Sequence, residues 1–205
     1  MGESNQQIDK KLNRTGKVQR DTNETSISVG LELDNFNAGE ISSGVSFLDH
    51  MLEQIAKHGQ IKLDVQCKGD NHIDDHHSVE DIGICFGQAL NKALGDKKGI
   101  VRFASCYAPL DEALSRTVID ISGRPCLALH SQWTAAQIGD FDVQLVREFF
   151  QGVTNGASMT LHIDCLRGIN CHHQVESVFK SFALALRQAT NLTNQTSVPS
   201  TKGVL

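Results

Sequence analysis

The stretch DDHHSVED, residues 74–81, sets two histidines side by side with a glutamate three and four positions on, and CHHQVES, residues 171–177, repeats the arrangement. A cluster written twice in one chain of 205 residues points to a duplicated unit. The surrounding sequence agrees. LDVQC (63–67) lies shortly before the first pair and LHIDC (161–165) shortly before the second. Farther upstream, FLDHML (47–52) falls opposite VREFF (146–150), which puts His50 and Glu148 at matching positions.

Each half reads as helix, strand, loop, helix. VSFLDHMLEQIAKHG (45–59) carries Phe47, Leu48, Met51, Leu52 and Ile55 at helical spacing and is expected to end at Gly59. IKLDVQC (61–67) follows as a strand and KGDNHIDD (68–75) as a turn. From His76 to about Leu94 the spacing predicts a second helix, with an acidic first turn suited to the macrodipole. The later half repeats the order with a helix over 142–157, a strand over 159–165, a loop over 166–170 and a helix over 172–189. Ile27, Val29, Leu31 and Leu33 alternate with small or polar residues as in a half-buried strand. Val118, Ile119 and Ile121 form another, broken by SGRP (122–125) before CLALH (126–130). The chain thus divides into a loose leader at 1–17, half-domains at 18–100 and 101–189, and an irregular tail at 190–205.

Composition limits the function. Hydrophobic residues make up 40% and charged residues 21%, which supports a packed core. A formal charge of −5 without a basic run argues against nucleic acid, while a few converging cations can still hold a small phosphate ester. No apolar stretch has the length of a membrane span. The six cysteines form no C-x-x-C pair, and no signal peptide precedes them, so a reducing compartment, the cytoplasm, is expected; a trimmed plastid leader would leave the same sequence.

The paired histidines suggest metal. On a helix His76 and Glu80 share a face, whereas His77 is turned by about 100° around the axis, so neighbouring imidazoles diverge toward two different ions. His172, His173 and Glu176 repeat this geometry. With His50 and Glu148 the donors number eight, all imidazole or carboxylate, a set suited to Mn, Fe, Co or Ni rather than structural zinc. Two octahedral ions offer about twelve positions, so about four remain for water or substrate, as a catalytic site requires. His72, His130 and His162, each isolated, read as ordinary surface or core histidines.

These residues, with RDTNETSISV, FLDHML, DDHHSVEDIG, LDEALSR, DISGRP, LRGINCHHQVESVFKSFALALRQA and PSTKGVL in that order, resemble imidazoleglycerol-phosphate dehydratase from about Arg20 to Leu205. The resemblance implies an α+β fold of two duplicated half-domains, in which two four-stranded sheets enclose a four-helix layer. It implies homo-oligomers, trimers gathered into a shell of about 24 subunits. Two Mn²⁺ sites per subunit equivalent would form where subunits meet, from His50, His76, His77, Glu80, His172, His173 and Glu176. Family members carry histidine where this chain has Glu148, a residue that can also bind Mn²⁺.

The implied reaction is dehydration of D-erythro-imidazole glycerol phosphate to imidazole acetol phosphate in histidine biosynthesis. The departing proton is not next to a carbonyl, so the substrate's imidazole, deprotonated to imidazolate against the cations, must accept the charge. Glu24 is the implied acid or base, with Glu80 and Glu176 as ligands that also relay protons. Arg102, Arg124, Lys180 and Lys202 are the implied phosphate-binding groups, and Lys202 requires the tail to close over the site. Two other readings use the same donors, a dinuclear-metal hydrolase of a phosphate ester and a non-catalytic metal-binding shell. Release of phosphate would mark the first. For the second, SGRP and STKG would have no purpose.

Overall fold

The computed structural model describes residues 14–205. In chain order the first half contains β1 (Thr15–Asp21), β2 (Thr25–Glu32), β3 (Ile41–Ser42), α1 (Ser46–Gly59), β4 (Lys62–Gly69) and α2 (His76–Leu94). The second contains β5 (Phe103–Leu110), β6 (Ala113–Asp120), β7 (Cys126–His130), the small hairpin β8 (Gln137–Ile138) and β9 (Phe141–Asp142), α3 (Leu145–Ala157), β10 (Thr160–Arg167) and α4 (Cys171–Thr190). The sheets are ordered β1-β2-β4-β3 and β5-β6-β10-β7. In both, the first three strands are antiparallel neighbours and the last pairs in parallel with the third, so the two sheets have one topology.

Alternation drives each sheet onto the helices. On β2, Ile27, Val29 and Leu31 are buried while Ser26 and Ser28 face water. The helices of each half lie on that half's own sheet, yet their helix partners come from the other half: α2 packs chiefly on α3 and α1 on α4. Phe86, Phe149, Phe150, Phe179 and Phe182 fill the space between them, with Phe150 4.9 Å from Phe179 and 5.1 Å from Phe182, centroid to centroid.

Several sequence expectations require correction. The leader assigned to 1–17 contributes Thr15, Gly16 and Lys17 to β1, where only Gly16 and Val18 face inward, too weak an alternation to reveal a strand; residues 1–13 lie outside the described residues. α1 ends at Gly59 as expected, but Gly59 is its last helical residue, and the left-handed position that follows is taken by Gln60 at φ 51°. The first turn of α2 holds no acid. Instead Asp74, ahead of the helix, accepts from the His76 N–H at 2.8 Å. β5 had no counterpart in the sequence reading, α3 begins at Leu145 rather than 142, and β10 runs on to Arg167.

Glycine fixes the closest helix crossing. Gly83 and Gly87 on α2 face Gly152 and Gly156 on α3, and a Cβ on any of them would strike backbone of the opposite helix. At Gly152 it would stand 2.7 Å from the Glu80 carbonyl oxygen; at Gly83 it would meet that of Phe149 and at Gly87 that of Val153. Backbone contact here brings the His76 and Glu80 end of α2 against α3. Replacing an exposed helical glycine by alanine gains about 1 kcal/mol, but Gly87→Ala should cost about 1–3 kcal/mol by overpacking. Thermal melts should therefore show a lower midpoint for Gly87→Ala than for the parent, the reverse of the propensity effect.

Candidate active site

The second cluster sits on the first turn of α4, whose start is built with care. Asn170 caps the helix by accepting from the N–H groups of His172 (2.9 Å) and His173 (3.4 Å). From the β5–β6 turn, Glu112 Oε1 accepts from the N–H groups of Ile169 (3.0 Å) and Asn170 (2.8 Å). The rings of His172 and His173 then stand 6.2 Å apart at 84° to one another. Those of His76 and His77 stand 6.1 Å apart at 85°, so the divergence expected of adjacent helical residues is realised twice.

One ring of the second pair turns inward. His172 Nε2 lies 3.0 Å from Glu176 Oε2, and His50 Nε2, arriving on α1 from the other half, lies 3.2 Å from the same oxygen. One donor atom from each of the three residues lies within 4.8 Å of the others, a spacing on which a single ion can close. Phe47 meets the His172 ring edge-on at 5.3 Å and limits its rotation. Burial alone would raise the Glu176 pKa, but the Lys180 ammonium at 2.6 Å and the His172 and His50 rings outweigh it and hold the carboxyl at about 2. Two imidazole nitrogens and an ionised carboxylate fit a hard or borderline divalent ion.

The first cluster is more open, and among the described residues only His50, His172 and Glu176 bring three donor atoms within reach of one ion. His76 Nε2 lies 3.5 Å from Glu80 Oε2, and His76 lines a cavity with Glu148 of α3, together with Asn71, Asp140 and Asp142. His50 thus meets the cluster of the opposite half on α4, and Glu148 shares a cavity with His76 of α2. At position 148 this chain offers a carboxylate where family members carry an imidazole.

His77 and His173 point elsewhere. His77 Nδ1 donates to Asp70 Oδ2 at 3.0 Å and its Nε2 lies 3.8 Å from Glu24 Oε1. His173 Nδ1 donates to Glu112 Oε2 at 2.8 Å. These bonds, from Asp70 and from Glu112, raise both histidine pKa values above the ordinary 6.5. Glu112 is held at about 2, chiefly by the Asn170 N–H and by His173. Glu24 occupies the β1–β2 turn. Its N–H donates to Thr22 Oγ1 at 3.1 Å, and the next residue, Thr25, donates through its hydroxyl to Asp81 Oδ2 at 2.6 Å. Arg20 closes the same clamp on Asp81 Oδ1 at 3.0 Å. Asp70, Asp81 and Glu112 were not among the residues singled out from the sequence. Glu112 was within reach, because in the duplicated register it is the counterpart of Glu24, each being the residue just before the second strand of its half.

The proposed phosphate groups are dispersed. Lys180 is at the centre, paired with Glu176. Arg102, in the left-handed region at φ 75°, lies at the opposite end of β5 from Glu112, about 25 Å along an eight-residue strand. It bonds Asp120 at 2.7 and 3.2 Å and the Pro199 carbonyl at 2.7 Å, and so ties down the tail that carries Lys202. Arg124 stands exposed in the nearby SGRP turn, where Gly123 packs against Leu205. Among the described residues no hydrogen bond or ion pair joins Arg102, Arg124 or Lys202 to the histidines.

The profile of the family described as imidazoleglycerol-phosphate dehydratase matches residues 43–186. The imidazoleglycerol-phosphate dehydratase of Teredinibacter turnerae is 59% identical over 194 residues, covering 94% of this chain and 98% of its own length. That of Ralstonia pickettii is 57% identical over 196 residues, covering 95% of this chain and all (100%) of its own. Among solved structures, the Staphylococcus aureus enzyme superposes with a TM-score of 0.80 at 40% identity, over 87% of this chain and 99% of the other. The Pyrococcus furiosus enzyme, solved in complex with (S)-C348, gives 0.81 at 37%, over 92% and 100%.

A pH effect on the metal-free protein follows from the raised histidines. Their folded pKa values exceed the unfolded 6.5, so their contribution is complete below about pH 6.5 and disappears as pH climbs through the folded values. Solvent exposure keeps it modest. Chelator-treated protein should lose thermal stability as pH rises above about 6.5, and a His77→Gln/His173→Gln double variant should lose less over the same rise.

Proposed function

This chain belongs to the imidazoleglycerol-phosphate dehydratase family, hydro-lyases of histidine biosynthesis, and we propose that it dehydrates D-erythro-imidazole glycerol phosphate at two Mn²⁺ centres shared between subunits. The observation that supports this most directly is the meeting of His50, His172 and Glu176 from opposite halves, with His77 and His173 turned away from it. His50, His172 and Glu176 would hold one ion and His76, Glu80 and Glu148 the other. His77 and His173 would complete centres on neighbouring copies, in trimers gathered into a shell of about 24 chains. Bound Mn²⁺ supplies positive charge that favours the deprotonated substrate imidazole, the electron sink for a proton with no adjacent carbonyl.

The chain's own groups do the rest. Glu24 takes the C–H proton from the substrate's side chain and returns it to the hydroxyl leaving the neighbouring carbon, so that one water departs and an enol remains, which becomes the ketone. Its backbone is pinned through Thr22, and the neighbouring Thr25 through Asp81, while its half-exposed carboxylate stays free to exchange protons. Glu80 and Glu176 serve as ligands and proton relays. Lys180 holds the phosphate end near the centre, and Arg124 and Lys202 approach from an adjacent subunit as the tail, residues 190–205, closes. Arg102 commits three of its five N–H donors to Asp120 and Pro199, so two remain for phosphate. No described helix is long and apolar enough to cross a membrane. The family's place in histidine biosynthesis is what supports a cytoplasmic enzyme, with half-domains running from Thr15, where β1 begins, to 100 and from 101 to 189.

Turnover of imidazole glycerol phosphate after chelation should be absent and should return with Mn²⁺, yielding a ketone and no inorganic phosphate. Release of phosphate would instead identify a dinuclear hydrolase, and Mn²⁺ binding without turnover a metal-storing shell. Glu24→Gln should lower kcat by about 10²–10⁴-fold while substrate and Mn²⁺ affinities, measured by calorimetry, remain near those of the parent.

A further inference from the structure

His77 and His173 make the same contact from different origins. In the first half the Nδ1 partner is Asp70, the first residue after β4; in the second it is Glu112, from the β5–β6 turn. The sheets share one topology, and Gly69 packs on Ser78 of α2 as Gly168 packs on Gln174 of α4, so once the bulge between Cys165 and Arg167 is counted the duplicated counterpart of Asp70 is Ile169, which has no carboxylate. The counterpart of Glu112 is Glu24, which does not bond Nδ1 but lies 3.8 Å from Nε2 of His77. A contact inherited by duplication would use equivalent residues. Here two non-equivalent residues supply it, so what was retained is the chemistry: a carboxylate on Nδ1 that fixes the proton there and leaves the Nε2 lone pair facing outward.

We propose that Asp70 and Glu112 are positioning residues that set the tautomer and direction of His77 and His173, and that Glu112 performs in the second half the task from which Asp70 has freed Glu24. This rests on the reading of both histidines as metal ligands. Glu112 does so with one carboxylate divided between two duties, Oε1 holding the loop before α4 and Oε2 holding the ring. Asp70 is the simpler case, since His77 is the one side-chain hydrogen-bond partner its carboxylate has among the described residues. The division of labour distinguishes two carboxylates that the duplication alone would make equivalent: Glu24 is left to exchange protons, and Glu112 is not.

Glu112→Gln tests this. Glutamine keeps an oxygen for the loop and turns an NH₂ toward Nδ1, which drives the ring proton to Nε2, the wrong nitrogen for a metal. Titrating metal-stripped protein with Mn²⁺, and following free Mn²⁺ by electron paramagnetic resonance, should show one class of site weakened about 10–100-fold and the other unchanged. Saturating Mn²⁺ should then restore most of kcat. Asp70→Asn should weaken one class to the same extent, and it carries the test alone if Glu112→Gln does not fold. Parent-like Mn²⁺ affinity in the variants, with or without a lower melting temperature, would overturn the proposal. So would a kcat that saturating Mn²⁺ fails to restore in Glu112→Gln, since Glu112 would then be moving protons itself. Failure of the parent chain to bind Mn²⁺ would instead remove the functional reading beneath both.

Discussion

Two imidazoles on consecutive helical residues cannot face the same point. The backbone turns about 100° per residue, and both pairs in this chain obey, with ring planes at 84° and 85°. One ring of the second pair, His172, reaches a donor group inside the chain, His50 and Glu176, and its companion faces out. Everything else in the site answers that restriction. The inward ring needs a donor from another helix, and the outward ring needs a fixed direction of its own. An open donor set on the surface of one chain is the result.

Supplying the other helix requires close and durable packing. Across α2 and α3 this is done by removing side chains, with four glycines letting backbones touch, and across the helix layer by five phenylalanines. The sheets are joined to the helices by polar clasps that differ between halves. In the second, Ser115 and Thr117 of β6 pair with Ser177 and Ser181 of α4 at 2.6 and 2.7 Å, all four buried. In the first, Asp81 of α2 takes both Thr25 and Arg20. The charged version lies under the turn that carries Glu24 and holds both strands of that hairpin through two hydrogen bonds to one carboxylate.

What could be read from the sequence followed the strength of its periodicity. All four helices were evident because residues such as Leu48, Met51, Leu52 and Ile55 recur on one face. β5 was hidden for a physical reason: its large residues Phe103 and Tyr107 face outward while Ala104, Cys106 and Ala108 line the core, the inverse of the usual size pattern. Histidine pairs and their glutamates were legible because helical geometry is local. The exchange of His50 and Glu148 between halves was not, since it depends on which helices cross. Asp70 and Glu112 escaped for the same reason, being ordinary acids until a turn brings them to a ring.

That crossing has an evolutionary corollary. A half-length ancestor with one sheet and two helices would have held its α1-type donor away from its own cluster and offered it to a second copy across a dyad. It would have worked as a homodimer, with two identical ion sites. Joining two such units in one chain would make that dimer permanent and, by ending its symmetry, would allow equivalent positions to differ, as Asp70 and Ile169 do in identity and Glu24 and Glu112 do in partner.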